Sequence, residues 1–202
     1  MLLSSKLSLT GVILAGGKSK RMKTNKCLIS LNNETLIEIL LSKIREIFEE
    51  IYIVTNDPEL YFHMGIPMLG DIYKFKGPMA GIHVALKNSK YDVFVFACDM
   101  PFIKNSIVYS ISERHLKRLN SATVTSYSGK IYPLPGVYSK KTFDEIERLI
   151  LQDKLSMTKL LNDIGAEIVE VANLDKEGLS FININTEEDL ENLRKGGIKC
   201  LD

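Results

Sequence analysis

Between Leu14 and Lys26 the chain reads Leu-Ala-Gly-Gly-Lys-Ser-Lys-Arg-Met-Lys-Thr-Asn-Lys, two glycines followed by five basic residues within nine positions. Gly16 and Gly17 lack a Cβ, so their backbone N–H groups can approach a bound anion closely. Ser19 adds a hydrogen-bond donor, and Arg21 and Lys26 supply charge that neutralises phosphate. A loop of this make-up suits a polyphosphate. A Gly pair after a strand is also an ordinary turn, and a run of cations also occurs on solvated loops. No Gly-Lys-Ser/Thr closes the loop, so it is not a Walker loop, nor does it carry a Gly-x-Gly-x-x-Gly fingerprint. Far along the chain, Cys98-Asp99-Met100-Pro101 follows an apolar run. A carboxylate there suits a hard cation that takes one or two carboxylates, phosphate oxygens and water. Asp99 can alternatively cap the helix that follows it.

The elements that must position these groups are legible as apolar runs and periodicities. Thr10 to Leu14 reads as a buried strand breaking into the Gly-rich loop. Asn32-Asn33 marks a turn. Leu36, Leu40, Ile44, Ile47 and Phe48 recur at helical spacing, which predicts a helix over 35–50. Strands are expected at 51–55, 67–69, 92–97, 122–127 and 136–138, and helices at 80–88, 104–119, 141–151, 156–162 and 186–195. This alternation predicts an α/β fold: a three-layer, Rossmann-like, mostly parallel sheet with helices on both faces. Ligands of such sheets sit beyond the carboxyl ends of the strands, where strand order reverses. Gly16-Gly17 and Asp99 should therefore share one rim.

Composition bounds the rest. The 202 residues, 45% hydrophobic and 25% charged, exclude a disordered tail protein and suit one domain over 1–202. The first 33 residues hold six basic residues and no acid, leaving 20 basic against 25 acidic, a net of −5, in the remainder. The basic loop lacks interleaved aromatics, which argues against nucleic acid. No stretch approaches 18 apolar residues, so no membrane span is expected. Cys27, Cys98 and Cys200, odd in number and far apart, read as neither a disulfide framework nor a metal-site pattern. They suggest a reducing, cytoplasmic setting, with Cys98 a small buried hydrophobe. His63, His83 and His115 have no ligand spacing and read as core or surface residues.

The signature Leu-Ala-Gly-Gly, then Ser, Arg-Met and Lys, resembles that of the molybdenum cofactor guanylyltransferases, within the nucleotidyltransferase superfamily. Later motifs come in the same order: Gly77-Pro78-Met79-Ala80-Gly81-Ile82, Cys98-Asp99-Met100-Pro101-Phe102, Pro133-Leu134-Pro135-Gly136-Val137-Tyr138, and Phe181 to Leu190 containing Asn183-Ile184-Asn185-Thr186. The resemblance spans about residues 10–190. One departure is Lys23, where the family usually has Gly.

The resemblance implies transfer of GMP from GTP to the molybdenum-molybdopterin cofactor, with magnesium and release of pyrophosphate. It implies Asp99 as the Mg2+ ligand, and Lys26 with Arg21 as the groups that meet the triphosphate charge. The backbone of Leu14, Ala15 and Gly16, with Asn56 and Asp71, would bind the guanine nucleotide, the Asp71 carboxylate either accepting from guanine N1 and N2 or lying near the metal. Asn183 and Asn185, on one face of an extended segment, would meet the pterin side. Proteins that supply and receive the cofactor are further expected partners. CTP in place of GTP, a sugar-phosphate acceptor, or a non-catalytic nucleotide-binding adaptor remain open on the loop alone.

Overall fold

The computed structural model describes residues 6–16 and 25–195. β1 (Leu7–Leu14) leads to a short turn at Lys26–Leu28 and a two-stranded ribbon, β2 (Ser30–Leu31) and β3 (Glu34–Thr35). Asn32 and Asn33 both take positive φ at the two-residue hairpin tip, the geometry that favours Asn there. α1 (Leu36–Arg45) starts on Thr35, whose hydroxyl caps Glu38 N while the Glu38 carboxylate returns to Thr35 N. Its apolar stripe, Leu36, Ile37, Leu40, Leu41 and Ile44, is buried, each side chain contributing about 1.5–3 kcal/mol.

The remaining elements are β4 (Phe48–Val54), β5 (Met68–Leu69), α2 (Pro78–Asn88), β6 (Val93–Ala97), α3 (Asn105–Arg118), β7 (Ala122–Tyr127) and β8 (Lys130–Tyr138). α4 (Phe143–Leu151), α5 (Met157–Asp163), β9 (Glu167–Glu170) and α6 (Glu187–Lys195) complete the chain order. The seven-stranded sheet runs β5-β4-β1-β6-β8-β7-β9, and only β8 is antiparallel to its neighbours.

Alternation along the strands divides the core into two layers. On one face Leu9, Ile13, Phe48, Ile53, Phe94 and Phe96 pack under α1 and α3. On the other, Val12, Val54, Val93, Val95 and Val124 pack under α2, α4 and α5. The expected three-layer fold is therefore present. A third, smaller cluster joins Ile29, Leu31 and Leu36 to Phe102, Leu179, Ile184 and Leu190, fastening the C-terminal segment beside β2 and α1.

Three expectations are corrected. The helix predicted to Glu50 ends at Arg45, and Phe48 opens β4 because its ring packs against Phe94 and Phe96 in the sheet core. The strand expected at 136–138 is the end of the longer β8, joined to β7 by a hairpin at Ser128-Gly129, and β9 is an additional edge strand. Cys27 and Cys98, read as unpaired, are joined by a disulfide. Both are buried, as expected of Cys98, but the fold brings together residues 71 positions apart.

Candidate active site at the strand ends

From β1 the chain passes to β4 and β5 on one side, then returns to β6 on the other. The strand order therefore reverses between β1 and β6, the place where parallel sheets bind ligands. Register fixes what stands there. Leu14 pairs with Val54 on one side and Ala97 on the other, and Val54 pairs with Leu69. Two residues beyond this line of Leu69, Val54, Leu14 and Ala97 come Asp71, Asn56, Gly16 and Asp99. All four strands point the same way, so the four candidates stand along one rim.

Between β1 and β6, the Lys26 ammonium forms an ion pair with Asp99 Oδ2, joining residues 73 apart. Asp99 is buried and the Lys26 side chain is about one quarter exposed, 26%. Lys26 lies in the short turn Lys26–Leu28, whose entry is capped by Asn25 Oδ1 accepting from Cys27 N at 3.0 Å. Asn25 Nδ2 donates to the Tyr61 hydroxyl at 2.8 Å, and that hydroxyl donates to Ala15 O at 3.3 Å. Tyr61 thus spans the two described edges of the Gly-rich loop, residues 16 and 25. It is fully buried, which pushes its hydroxyl pKa up to about 12 and keeps it a neutral donor.

Gly16 is exposed, and a side chain there would meet nothing within 4 Å. Its approach is set by its neighbours, since Leu14 O accepts from Cys98 N and Ala15 N donates to Val54 O. Gly17, Ser19 and Arg21 lie outside the described residues, as does Lys23.

The Asp99 segment is braced from two directions. Lys43 Nζ, from α1, donates to Pro101 O at 3.0 Å, and burial lowers the pKa of that ammonium. Ile184 N donates to Asp99 O at 2.9 Å. Ile184 is buried while Asn183 and Asn185 on either side are exposed, so the two amides share an outward face next to Asp99. Farther back, Lys104 pairs with the buried Asp175 at 2.8 Å, and Asp175 accepts from Ser180 N.

At the β4 and β5 ends, Asn56 Nδ2 donates to Asp71 Oδ2 at 2.9 Å, and Asp71 N donates to Asn56 Oδ1 at 3.2 Å. Asp71 Oδ1 is buried with no hydrogen-bond partner among the described residues. Burial raises the Asp71 pKa, and the Asn56 bond partly offsets this. An acceptor held in this way has lost its water without gaining a donor among the described residues.

The Gly77-Pro78-Met79-Ala80-Gly81 motif has a structural account. Gly77 sits at φ 66°, ψ −155°, a region open to glycine, and Pro78 takes the first turn of α2. A Cβ on Gly81 would lie 2.7 Å from Leu14 Cδ2, so its absence lets α2 close onto the end of β1. The histidines are structural. His83 is buried against Glu147, His115 is buried between Asp92 and Thr123, and His63 is on the surface.

Of the sequence candidates, the structure brings Gly16, Lys26, Asn56, Asp71, Asp99, Asn183 and Asn185 to the strand-end rim and the segment packed beside it. Tyr61, Lys43 and the Cys27–Cys98 bond were missed. No local pattern signals Tyr61 or Lys43. For the cysteines the signal was adjacency, since Cys27 follows Lys26 and Cys98 precedes Asp99, two residues expected at one site. Among the described residues no group of three or more His, Cys, Asp or Glu is arranged to hold a metal, and no helix is long and apolar enough to cross a membrane.

Residues 11–168 match the family model described as MobA-like NTP transferase domain. A relative from Carboxydothermus hydrogenoformans, named "Probable molybdenum cofactor guanylyltransferase", is 34% identical over 93% of this chain and 96% of its own. The molybdenum cofactor guanylyltransferase of Desulfosudis oleivorans is 30% identical, covering 91% of this chain and 93% of its own. The crystal structure of molybdopterin-guanine dinucleotide biosynthesis protein A from Archaeoglobus fulgidus superposes with a TM-score of 0.81 at 27% identity, covering 95% of this chain and 100% of that one. On this extent of match, the chain belongs to the MobA-like NTP transferase family.

Proposed function

We propose that the protein is a single nucleotidyltransferase domain that transfers GMP from GTP to the molybdenum-molybdopterin cofactor and releases pyrophosphate. The observation that carries this reading is the common rim of Asp71, Asn56, Gly16 and Asp99, with Lys26 paired to Asp99 at its β6 end.

In the reaction, a phosphate oxygen of the pterin attacks the α-phosphorus of GTP, and the bond to the β-phosphate oxygen breaks. Both reactants are anionic, so positive charge must be in place first. Lys26 exchanges its carboxylate partner for phosphate oxygens and holds the charge that builds on the departing pyrophosphate. The Leu14–Gly16 backbone binds the nucleotide, and Gly17, Ser19 and Arg21 are assigned to its phosphates with Lys26. The half-buried Asp71 carboxylate receives guanine N–H donors, with Asn56 orienting it. Asn183 and Asn185 face the pterin.

Asp99 fits a magnesium site as a hard oxygen donor, and one carboxylate is enough for an ion that takes phosphate oxygens and water as its other ligands. Bound there, the metal would draw charge from the phosphates and help set the α-phosphorus in line. With GTP as substrate, the cytoplasm is the proposed compartment, and the partners are proteins that deliver and accept the cofactor.

The deciding experiment incubates purified protein with each NTP, magnesium and molybdopterin cofactor, and weighs the product by mass spectrometry. Guanine dinucleotide and pyrophosphate are expected. A marked preference for CTP overturns the guanine assignment. GTP binding without pyrophosphate release overturns catalysis.

A further inference from the structure

Cys27 immediately follows Lys26, and Cys98 immediately precedes Asp99. Their disulfide, with Cα atoms 5.4 Å apart, therefore ties together the two segments that carry the ion pair. Cys98 is anchored at the end of β6, where its N–H donates to Leu14 O. Cys27 belongs to a three-residue turn capped by Asn25.

Taking Lys26 and Asp99 in the roles proposed above, we infer that Cys27 and Cys98 form a redox-modification site that controls nucleotide entry. The oxidised form holds Lys26 against Asp99, and the reduced form lets them separate. Lys26 gives its charge to Asp99 here, and the phosphate role assigned to it above requires its ammonium to leave that carboxylate, so entry must part the pair. A cross-link one residue from each group fixes the backbone separation at their bases and leaves only the Lys26 side chain free for that parting, because a disulfide holds its Cα atoms within about 4.4–6.8 Å. Oxidation therefore raises the cost of binding.

Closure takes place by exchange with a small-molecule disulfide. One cysteine, deprotonated, attacks it and expels one thiol. The second cysteine then attacks the mixed disulfide and expels the other. Two protein thiols lose two electrons and two protons, one S–S bond forms as one breaks, and two small thiols are produced. The sulfurs are buried, at 2% and 1% residue exposure, so exchange proceeds through local opening of the Lys26–Leu28 turn and not by direct surface attack.

The test compares protein equilibrated with dithiothreitol or with oxidised glutathione. Alkylation after denaturation should label three cysteines in the reduced protein and one, Cys200, in the oxidised. Metal-free GTP titrated calorimetrically should bind the oxidised form at least about fivefold more weakly, with slower GMP transfer. Cys27→Ser should bind GTP equally after either treatment, and Cys98→Ala provides the same comparison if that variant misfolds. Three labels after oxidation, or equal GTP affinity in the two wild-type forms, overturns the inference. A redox-dependent GTP affinity with no transfer in either form supports it and overturns the guanylyl reading instead.

Discussion

The Lys26 ammonium and the Asp99 carboxylate, 73 residues apart in sequence, neutralise each other where the strand order reverses. Each is what the other's ligand must replace. Asp99→Ala and Lys26→Ala should each lower the rate of pyrophosphate release by about 10²–10³. The double variant should lose little more than the worse single, since the two act as a unit. Far-UV circular dichroism should be unchanged. Full turnover in Asp99→Ala removes the metal assignment.

Asp71→Asn should raise the KM for GTP about tenfold or more, the cost of losing a charged acceptor, and should narrow the preference for GTP over ATP. The same residue gives a pH dependence. Burial raises its carboxyl pKa above the ordinary 3.8, and below the shifted value the group is protonated and accepts poorly. GTP affinity should therefore rise as pH rises through that value. Binding titrations from acid to neutral pH should show the rise in the wild type and not in Asp71→Asn.

Tyr61→Phe removes one hydroxyl that serves both Asn25 and Ala15. The expected loss is about 1–3 kcal/mol of stability, from the unmade bonds and the buried groups left behind. Turnover should fall with it, because the turn bearing Lys26 loses its strut. Thermal unfolding and steady-state kinetics check the two effects separately. Unchanged kcat would mean that Asn25 alone fixes the turn.

Gly77→Ala should cost about 1–3 kcal/mol, since φ 66° with ψ −155° is a region that a Cβ makes strained. Chemical denaturation measures this directly. A variant as stable as the wild type would show that the 71–77 segment relaxes without loss.

Much of this architecture is legible in the chain. The short apolar run Val-Ile-Leu before the Gly pair and the run Val-Phe-Val-Phe-Ala before Cys98 have clear ends, and they become the central strands β1 and β6. The expectation that Gly16 and Asp99 share a rim rested on both following strands of a mostly parallel sheet, whose ligands sit beyond the carboxyl ends. The end of α1 was hidden because Ile47 and Phe48 continue the helical spacing, although Phe48 is claimed by tertiary packing with Phe94 and Phe96. β8 was hidden by Pro133 and Pro135, which normally argue against a strand. The ladder accommodates them by a register shift between Val124 and Thr125. The Cys27–Cys98 bond and the Tyr61 contacts are purely long-range, and neither leaves a periodicity to read.

The line Leu69, Val54, Leu14 and Ala97 also determines which mutations the site can survive. Inserting one residue within β1 would displace its C-terminal end by about 3.3 Å and turn it to the opposite face, breaking alignment with both neighbours at once. Lengthening the return connection through α2 would leave the endpoints of every strand where they are. The parallel ladder works as a ruler with a shared zero mark, so the crossovers are free to vary in length while the phase of each strand is not.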